Sequence, residues 1–489
     1  MILICMIGIL LLGGLLCWLV AQRSTAFCKW IALLAVMADF VIICCLFWQY
    51  KGAPPTDTPW LLHSRLNWIP SFGISFHLAL DGLSLLLLLL TFFLGILSVL
   101  CSWSEIKEKK GFYFFNLLWT LAGITGVFLA MDLFLFYFFW EMMLVPMYFL
   151  IALWGDTNRR YAAYKFFIFT QAGGLLMLLA ILALYFIHAN QSGVYSFDYF
   201  SLLNTSLRPS ASRWIMSGFL IAFVIKLPVV PFHSWLPDAH SEAPTAGSLL
   251  LAGLLLKTGA YGIIRFVLPL FPQTSVEIAE WGMLFGVIGI VYGALLAFAQ
   301  TDLKRLIAYT SVSHMGFILL GVFSFREIAL QGVVMQILTH GISTGALFVM
   351  AGMLKERLHT RDIRQMGRLW TSMPVMGGAA MLFTMASLGL PALGSFIAEF
   401  LVLLGTFPVN STLTIIATFG LVFSALYSLR MMQQVFLGQT AVAAPLKDLN
   451  GREWIIMTAL SISIVALGLY PQPVMNVVRE VVQRLVIRQ

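Results

Sequence analysis

The chain has 489 residues, of which 60% are hydrophobic and only 10% charged, against about 25% charged in a soluble domain. That composition excludes a soluble enzyme, and the continuous apolar runs exclude a transmembrane β-barrel, whose strands alternate. The net charge of +8 does not point to nucleic acid: the basic residues are spread over short loops, as the positive-inside rule expects of an all-α polytopic membrane protein.

In chain order, hydropathy predicts fourteen membrane helices, at 1–20, 30–48, 78–100, 112–130, 133–153, 164–188, 213–236, 246–270, 278–299, 303–322, 327–354, 374–404, 412–436 and 455–474. The N-terminus is apolar at once, with no basic region or small-residue cleavage site before it, so it reads as the first span rather than a removable signal. The longest hydrophilic connections, 49–77 and 189–212, are too short for a soluble domain. Loops after odd-numbered helices carry Arg23, Lys29, Lys107, Lys109, Lys110, Arg159, Arg160, Lys304, Arg305, Lys355, Arg357, Arg361, Arg364, Arg368, Arg430, Lys447 and Arg452. Loops after even-numbered helices hold Lys51, Arg65, Arg208, Arg213, Arg265 and Arg326. The bias predicts cytoplasmic odd loops and both termini outside. The tail, with Arg479, Arg484 and Arg488, runs against it. It reads as an interfacial helix, as a surface docked on a partner, or as a sign that the count is off by one. The cysteines Cys5, Cys17, Cys28, Cys44, Cys45 and Cys101 form no CxxC pair, so no zinc or iron–sulfur site is readable.

Four ionisable residues fall deep inside spans. Glu141 is in the fifth, in FFWEMMLVPM; Lys226 in the seventh, in FVIKLPVVPFHSW; Lys257 in the eighth, in LLLKTGAYG; Glu399 in the twelfth, in GLPALGSFIAEF. Each costs on the order of 2.5–3.5 kcal/mol at mid-bilayer. One reading is a buried ion pair that fixes helix packing. The other is a proton or ion path, the usual meaning of such residues, with Glu141 and Lys226 as neighbours of opposite sign. Pro228 and Pro231 follow Lys226, and Gly389, Pro391 and Gly394 precede Glu399, so both helices read as broken. Broken helices in two halves point to a transport site in an inverted repeat.

Between Lys257 and Glu399 runs a polar trail. Gln336, Thr339, His340, Ser343 and Thr344 share one face of the eleventh helix, and Thr310, Ser313 and His314 one face of the tenth. Such stripes serve as packing glue or line a hydrated wire with histidine as relay. His233 and His240 flank the seventh-helix break and either gate proton uptake or sit at the interface. Asp81 and Asp132 read as helix-start residues. The basic segment LHTRDIRQMGRLW meets anionic lipid or a partner subunit. No GxGxxG or Walker loop lies in a strand–helix context, and no CxxCH or haem-spaced histidine pair is present.

The stretches FFWEMMLVPMYFLIALWGD (138–156), KLPVVPFHSWLPDAHSEAPTAGS (226–248), LLKTGAYG (255–262), FAQTDLKRLIAYTSVSHMGF (298–317) and LHTRDIRQMG (358–367) resemble the antiporter-like membrane subunits of respiratory complex I, over nearly the whole chain. The resemblance is specifically to the M-type subunits of bacterial NADH–quinone oxidoreductase. It implies N-terminal helices 1–3 over 1–111, inverted five-helix repeats at about 112–270 and 278–436, and a last helix and tail at 437–489. It also implies a coupling pair Glu141–Lys226, a central carrier Lys257, a water chain supported by His314 and His340, and a distal Glu399, which is lysine in sister subunits. Flavin, iron–sulfur clusters and quinone are expected on other subunits, none on this chain. L-type and N-type subunits are the expected neighbours and a bacterial inner membrane the expected location. A subunit of a multisubunit Na+/H+ antiporter, the membrane arm of an energy-converting hydrogenase and a structural spacer are the competing readings.

Overall fold

The structure is a computed structural model that describes residues 1–50, 60–439 and 446–487; Lys51 and Arg488, counted above among the cations, lie outside them. In hydrocarbon a backbone amide finds no water, so an apolar run closes its hydrogen bonds within itself as a helix. Among the described residues, twelve helices are long and apolar enough to cross a membrane: Ile2–Val20, Thr25–Tyr50, Gly82–Glu105, Lys110–Leu129, Leu133–Trp154, Arg159–Ser192, Thr245–Leu270, Ala279–Ala299, Leu303–Val322, Glu327–Leu358, Ser411–Val435 and Gly451–Leu469. Two further passes are each made of two pieces, Pro209–Lys226 with Trp235–Glu242 and Pro374–Ser387 with Gly394–Thr406. Numbered along the chain, these are the seventh and twelfth of fourteen passes among the described residues.

The boundaries differ from the sequence reading where polar residues take over from hydropathy. Residues 78–81, expected in the third helix, belong to strand β2 (Ile74–Asp81), which pairs antiparallel with β1 (Trp60–Ile69). The helix starts only at Gly82, because the Asp81 carboxylate accepts the Ser84 N–H at 2.9 Å and caps it. A hairpin thus interrupts an otherwise helical chain. The fourteenth pass stops at Leu469 rather than 474, just before Pro471. The tail is an amphipathic helix, Gln472–Ile487. It buries Val474, Val478, Val481 and Val482 against the third and eleventh passes and turns Gln472, Asn476, Arg479 and Gln483 outward. Its cations therefore reflect an interfacial helix on the chain's own surface, and the span count stands.

Passes four to eight and nine to thirteen follow one plan in opposite senses. Leu133 N–H donates to Phe197 O at 2.9 Å and Tyr199 N–H to Met131 O at 2.8 Å, tying the turn before the fifth pass to the segment after the sixth. In the second set, Leu303 N–H donates to Arg361 O and Ile363 N–H to Thr301 O, both at 2.9 Å, tying the turn before the tenth pass to the segment after the eleventh. Asp132 and Asp302 cap the helices that follow. Five passes separate the two clamps, so they lie at opposite ends of the molecule. Within the second set the ninth and tenth passes touch backbone to backbone: a Cβ on Gly316 would lie 2.5 Å from Gly286 O, which is why small residues stand there.

The hairpin is fastened to the segment after the sixth pass by His77 Nδ1 and Asp198, 2.7 Å apart, with Arg65 at 3.7 Å. Burial alone would raise the Asp198 carboxyl, but the His77 hydrogen bond and the charges of His77 and Arg65 outweigh it and hold the group below the ordinary carboxylate value. A depressed carboxylate stabilises fully above its unfolded pKa of about 4 and loses that contribution as pH falls through the lower folded value. Hydrogen-exchange protection of residues 60–81 is therefore expected to persist down to about pH 4 and to fall only below it; protection already lost near about pH 6 would contradict this anchor.

Candidate functional site

Glu141 lies half-buried in the fifth pass beside Tyr137 and Gln171, within electrostatic range of Lys226. Gly174 of the sixth pass makes room for it: a Cβ there would sit 2.4 Å from Glu141 Oε1. Lys226 is the last residue of the first half of the seventh pass and is 1% exposed. Its ammonium makes no hydrogen bond and stands 5.5 Å from the Trp140 ring centre and 5.3 Å from that of Phe166. Cation–π attraction of about 1–2 kcal/mol per ring helps hold it there. Glu141 and Lys226 thus face one another without an ion pair at contact distance. The break after Lys226 runs through Pro228 and Pro231, and the indole of Trp235 donates to Ile225 O at 2.9 Å, satisfying a carbonyl that the interrupted helix frees.

The eighth pass is fully buried and contains two π turns, Leu251–Leu255 and Ile263–Val267. A π turn misaligns the backbone ladder, and such turns cluster at functional sites. Lys257, between the two, donates to Ala252 O at 2.7 Å and lies 2.5 Å from His340 Nδ1 of the eleventh pass. The His340 ring meets that of His314 at 5.6 Å. His314 Nδ1 lies 3.0 Å from Glu399 Oε1, and its Nε2 lies 3.4 Å from Ser387 Oγ and 3.5 Å from the Tyr427 hydroxyl. Gly389 adopts φ +80° in the twelfth-pass break, a left-handed backbone that glycine takes without strain, and its open flank faces Glu399 Oε2 at 3.0 Å. Lys257, His340, His314 and Glu399 are thereby brought into one buried row. Neither a hydrogen bond nor an ion pair extends that row to Lys226, although the seventh and eighth passes touch closely: a Cβ on Gly259 would lie 2.6 Å from Phe223 O.

His240 is fully buried, stacked on Phe348 at 4.4 Å, with both ring nitrogens unpartnered and electrostatic coupling to Lys257, Lys304 and His340. It is therefore an interior group rather than an interfacial one. His233 lies inside the break, edge-on to Tyr292 at 5.5 Å. Most of the buried polar atoms without a partner among the described residues follow this axis: Trp140 Nε1, Glu141 Oε1, Lys226 Nζ, both His240 nitrogens, Gln336 Oε1, His340 Nε2, Thr384 Oγ1 and Glu399 Oε2. Native interiors pair such atoms with protein or ordered water, so a row of them marks a track that water can occupy.

Several charged groups escaped the sequence reading. Asp39, in the second pass, is fully buried with neither oxygen partnered; its long apolar flanks hid it. Asp81 does start a helix, but it also pairs with buried Arg265. At the end bearing the turn before the tenth pass, Arg361 bonds Asp156 at 2.9 Å, Glu242 at 3.3 Å, Asp302 at 3.0 Å and the Ser241 carbonyl. Arg357 bonds Glu453 at 2.6 Å. One cation of the basic segment, Arg361, and Arg357 just before it are thus paired with carboxylates of the chain itself. Among the described residues no group of three or more His, Cys, Asp and Glu side chains could hold a metal ion.

Residues 130–424 match the family model described as NADH:quinone oxidoreductase/Mrp antiporter, TM. The NADH-quinone oxidoreductase subunit M of Pseudomonas aeruginosa is 54% identical, over 98% of this chain and 96% of that one. Among solved structures, respiratory complex I from Thermus thermophilus with bound NADH contains a chain 29% identical, at a TM-score of 0.90 with 99% of both chains covered. The Mrp complex from Dietzia sp. DQ12-45-1b aligns at 0.87 over 99% of this chain and 97% of its own, at 20% identity, and so shares the fold.

Removing the cation that joins three carboxylates, two of them half-buried and one buried, leaves them facing one another uncompensated. Arg361→Met is therefore expected to lower the thermal midpoint of the purified protein by several degrees and to do so more than Arg364→Met, whose cation pairs only with Asp362 at an exposed site. Equal midpoints for the two variants, in a thermal unfolding scan in detergent, would remove Arg361 as the hub.

Proposed function

As a member of the NADH:quinone oxidoreductase/Mrp antiporter transmembrane family, the chain carries, we propose, protons across the bilayer as an M-type subunit of NADH:quinone oxidoreductase. The observation that carries this reading is the buried row Lys257–His340–His314–Glu399, together with the unpartnered atoms along it. We assign the two repeats to 112–270 and 278–436, the membrane to the bacterial inner membrane, and the termini to its outer side. The Lys- and Arg-rich end that Arg361 ties together then faces the cytoplasm. The family's flavin, iron–sulfur clusters and quinone belong to other subunits, and L-type and N-type chains are the lateral neighbours.

The chemistry follows from what each group can accept and donate. Lys226 is held by aromatic faces and by the field of Glu141 without a closed ion pair, so a charge arriving from a neighbouring subunit changes its proton affinity with little structural rearrangement. Lys226 then releases a proton toward Lys257. Lys257 passes one to His340 Nδ1, and the imidazole hands a proton on from its opposite nitrogen, the relay that a two-nitrogen ring permits. His314 takes it up and delivers it to Glu399 Oε1; Glu399 releases it at the outer side. His240 feels the charges of both Lys304 and Lys257 and supplies the cytoplasmic refill; His233, inside the break with Pro228, and the twelfth-pass break at Pro391 give the two half-helices freedom to gate the ends.

Glu141→Ala and Lys226→Ala are expected to leave the complex assembled with NADH:quinone activity detectable, but to lower proton transport per electron in reconstituted vesicles by at least about tenfold, the effect of roughly 1.4 kcal/mol. Lys257→Met is expected to do the same. Normal pumping by all three variants would reject the scheme and leave the spacer role.

A further inference from the structure

Lys257, Tyr261 and Arg265 stand at four-residue intervals on the eighth pass. Beyond Lys257, toward the hairpin end, begins a second string of polar groups that the row to Glu399 does not use. The Tyr261 hydroxyl donates to Phe128 O at 3.0 Å and lies 3.4 Å from Ser84 Oγ. Arg265 Nε donates to that same hydroxyl at 3.2 Å, and Arg265 also bonds Asp81 Oδ2. Asp81 Oδ1 accepts the Ser84 N–H. The guanidinium rests over the Trp60 ring at 5.0 Å. Past it lies a cavity of about 270 Å³ whose walls include Trp60, Asp81, Tyr199, Arg265 and Arg484, the last of these with 42% of its side chain exposed.

A string of this kind, one helical turn from a proton carrier and ending near an exposed residue, would short-circuit lateral transfer if it conducted. Its order prevents that. A proton wire needs every member to accept as well as donate, and a guanidinium is donor only and permanently charged. Tyr261 already spends its single hydrogen on Phe128 O and accepts from Arg265, so its hydrogen bonds point away from conduction toward the cavity. Along the bonded string the cation stands between Tyr261 and Asp81, so the positive member of the pair is met first. Fixed positive charge is how water-filled pores exclude protons.

We propose that the Arg265–Asp81 pair is a proton barrier at the hairpin end of the eighth pass, which denies Lys257 an exit along its own helix and leaves transfer to His340 as its outlet. This rests on the reading of Lys257 as a proton carrier and adds the residue that keeps the carrier from leaking. A packing latch between the third and eighth passes is the rival explanation, and it makes different demands. A latch needs both partners, whereas the barrier needs only a donor-only cation at 265.

The test is passive proton leak in vesicles containing the whole complex, with substrate withheld and a proton gradient imposed. Arg265→Ser is expected to raise the leak roughly tenfold, since a hydroxyl accepts and donates and the adjoining cavity admits water. Asp81→Asn, which keeps the permanently charged guanidinium, is expected to leak like the parent. The neutral double variant Arg265→Ser/Asp81→Asn, free of an unpaired buried carboxylate, is expected to leak like Arg265→Ser. An assembled, NADH:quinone-active Arg265→Ser complex with parental leak overturns the barrier. So does leak of equal size in Arg265→Ser and Asp81→Asn, or failure of both Arg265→Ser forms to assemble, each of which selects the latch. Adding Lys257→Met to Arg265→Ser is expected to restore tightness; a leak that persists there keeps the barrier and refutes Lys257 as the carrier.

Discussion

Everything in this molecule turns on one constraint: a charge in hydrocarbon must be solvated by the protein itself. The buried ionisable groups meet it in two ways. Arg265 and Asp81 solvate one another, with Tyr261, Ser84 and Trp60 around them, and neither is among the buried groups left with an unpartnered atom. Lys226, Lys257, His340 and Glu399 are solvated in part, by ring faces, one carbonyl or one imidazole, and three of the four keep an atom unpartnered. A fully solvated pair is locked into one protonation state by its own stability. A partly solvated group sits nearer the balance between its charged and neutral forms, and a modest change in a neighbour's charge then tips it. On the proposed scheme, completeness of solvation separates the fixed charges from the mobile ones, since burial is nearly the same for both.

Irregular backbone supplies the partial solvation. A regular membrane helix has no carbonyl to spare, since each is bonded four residues on. The π turns around Lys257 and the breaks after Lys226 and before Glu399 free carbonyls and open space at the depth where charges lie. Those irregularities persist because their surroundings fill them: Trp235 reaches Ile225 O, and Gly389 yields the space that Glu399 Oε2 approaches.

Much of this was legible in the sequence because membrane burial makes an isolated charge conspicuous. Glu141, Lys226, Lys257 and Glu399 stand out in apolar runs, and the histidine stripes at helical spacing led to the faces that meet. The failures also have physical causes. Asp39 lies in a helix whose mean hydropathy is high enough to absorb one carboxylate. The Asp81–Arg265 pair joins residues 184 apart, and each of them alone reads as a helix-end residue. The hairpin has strand pairing that hydropathy alone does not register. The two π turns carry no residue signal, because they arise from how the eighth pass packs among its neighbours. The basic segment 358–370 looked like a surface because the counter-charges of Arg361, namely Asp156, Glu242 and Asp302, come from three distant stretches of the chain.

The two broken passes show how one plan came to hold different charges. Leu227 N–H bonds Phe223 O and Val229 N–H bonds Val224 O; in the twelfth pass Leu388 N–H bonds Thr384 O and Leu390 N–H bonds Met385 O. The same pattern places Ser387 where the seventh pass has Lys226, and Glu399 where it has Asp238. In the first repeat the lysine is buried, while its aspartate meets Lys165 and Arg305 at 2.7 Å near the charged end. In the second repeat the cation is gone, and the carboxylate is buried against His314 instead. On the proposed scheme the first break offers a cation that gives up a proton, and the second an anion that receives it.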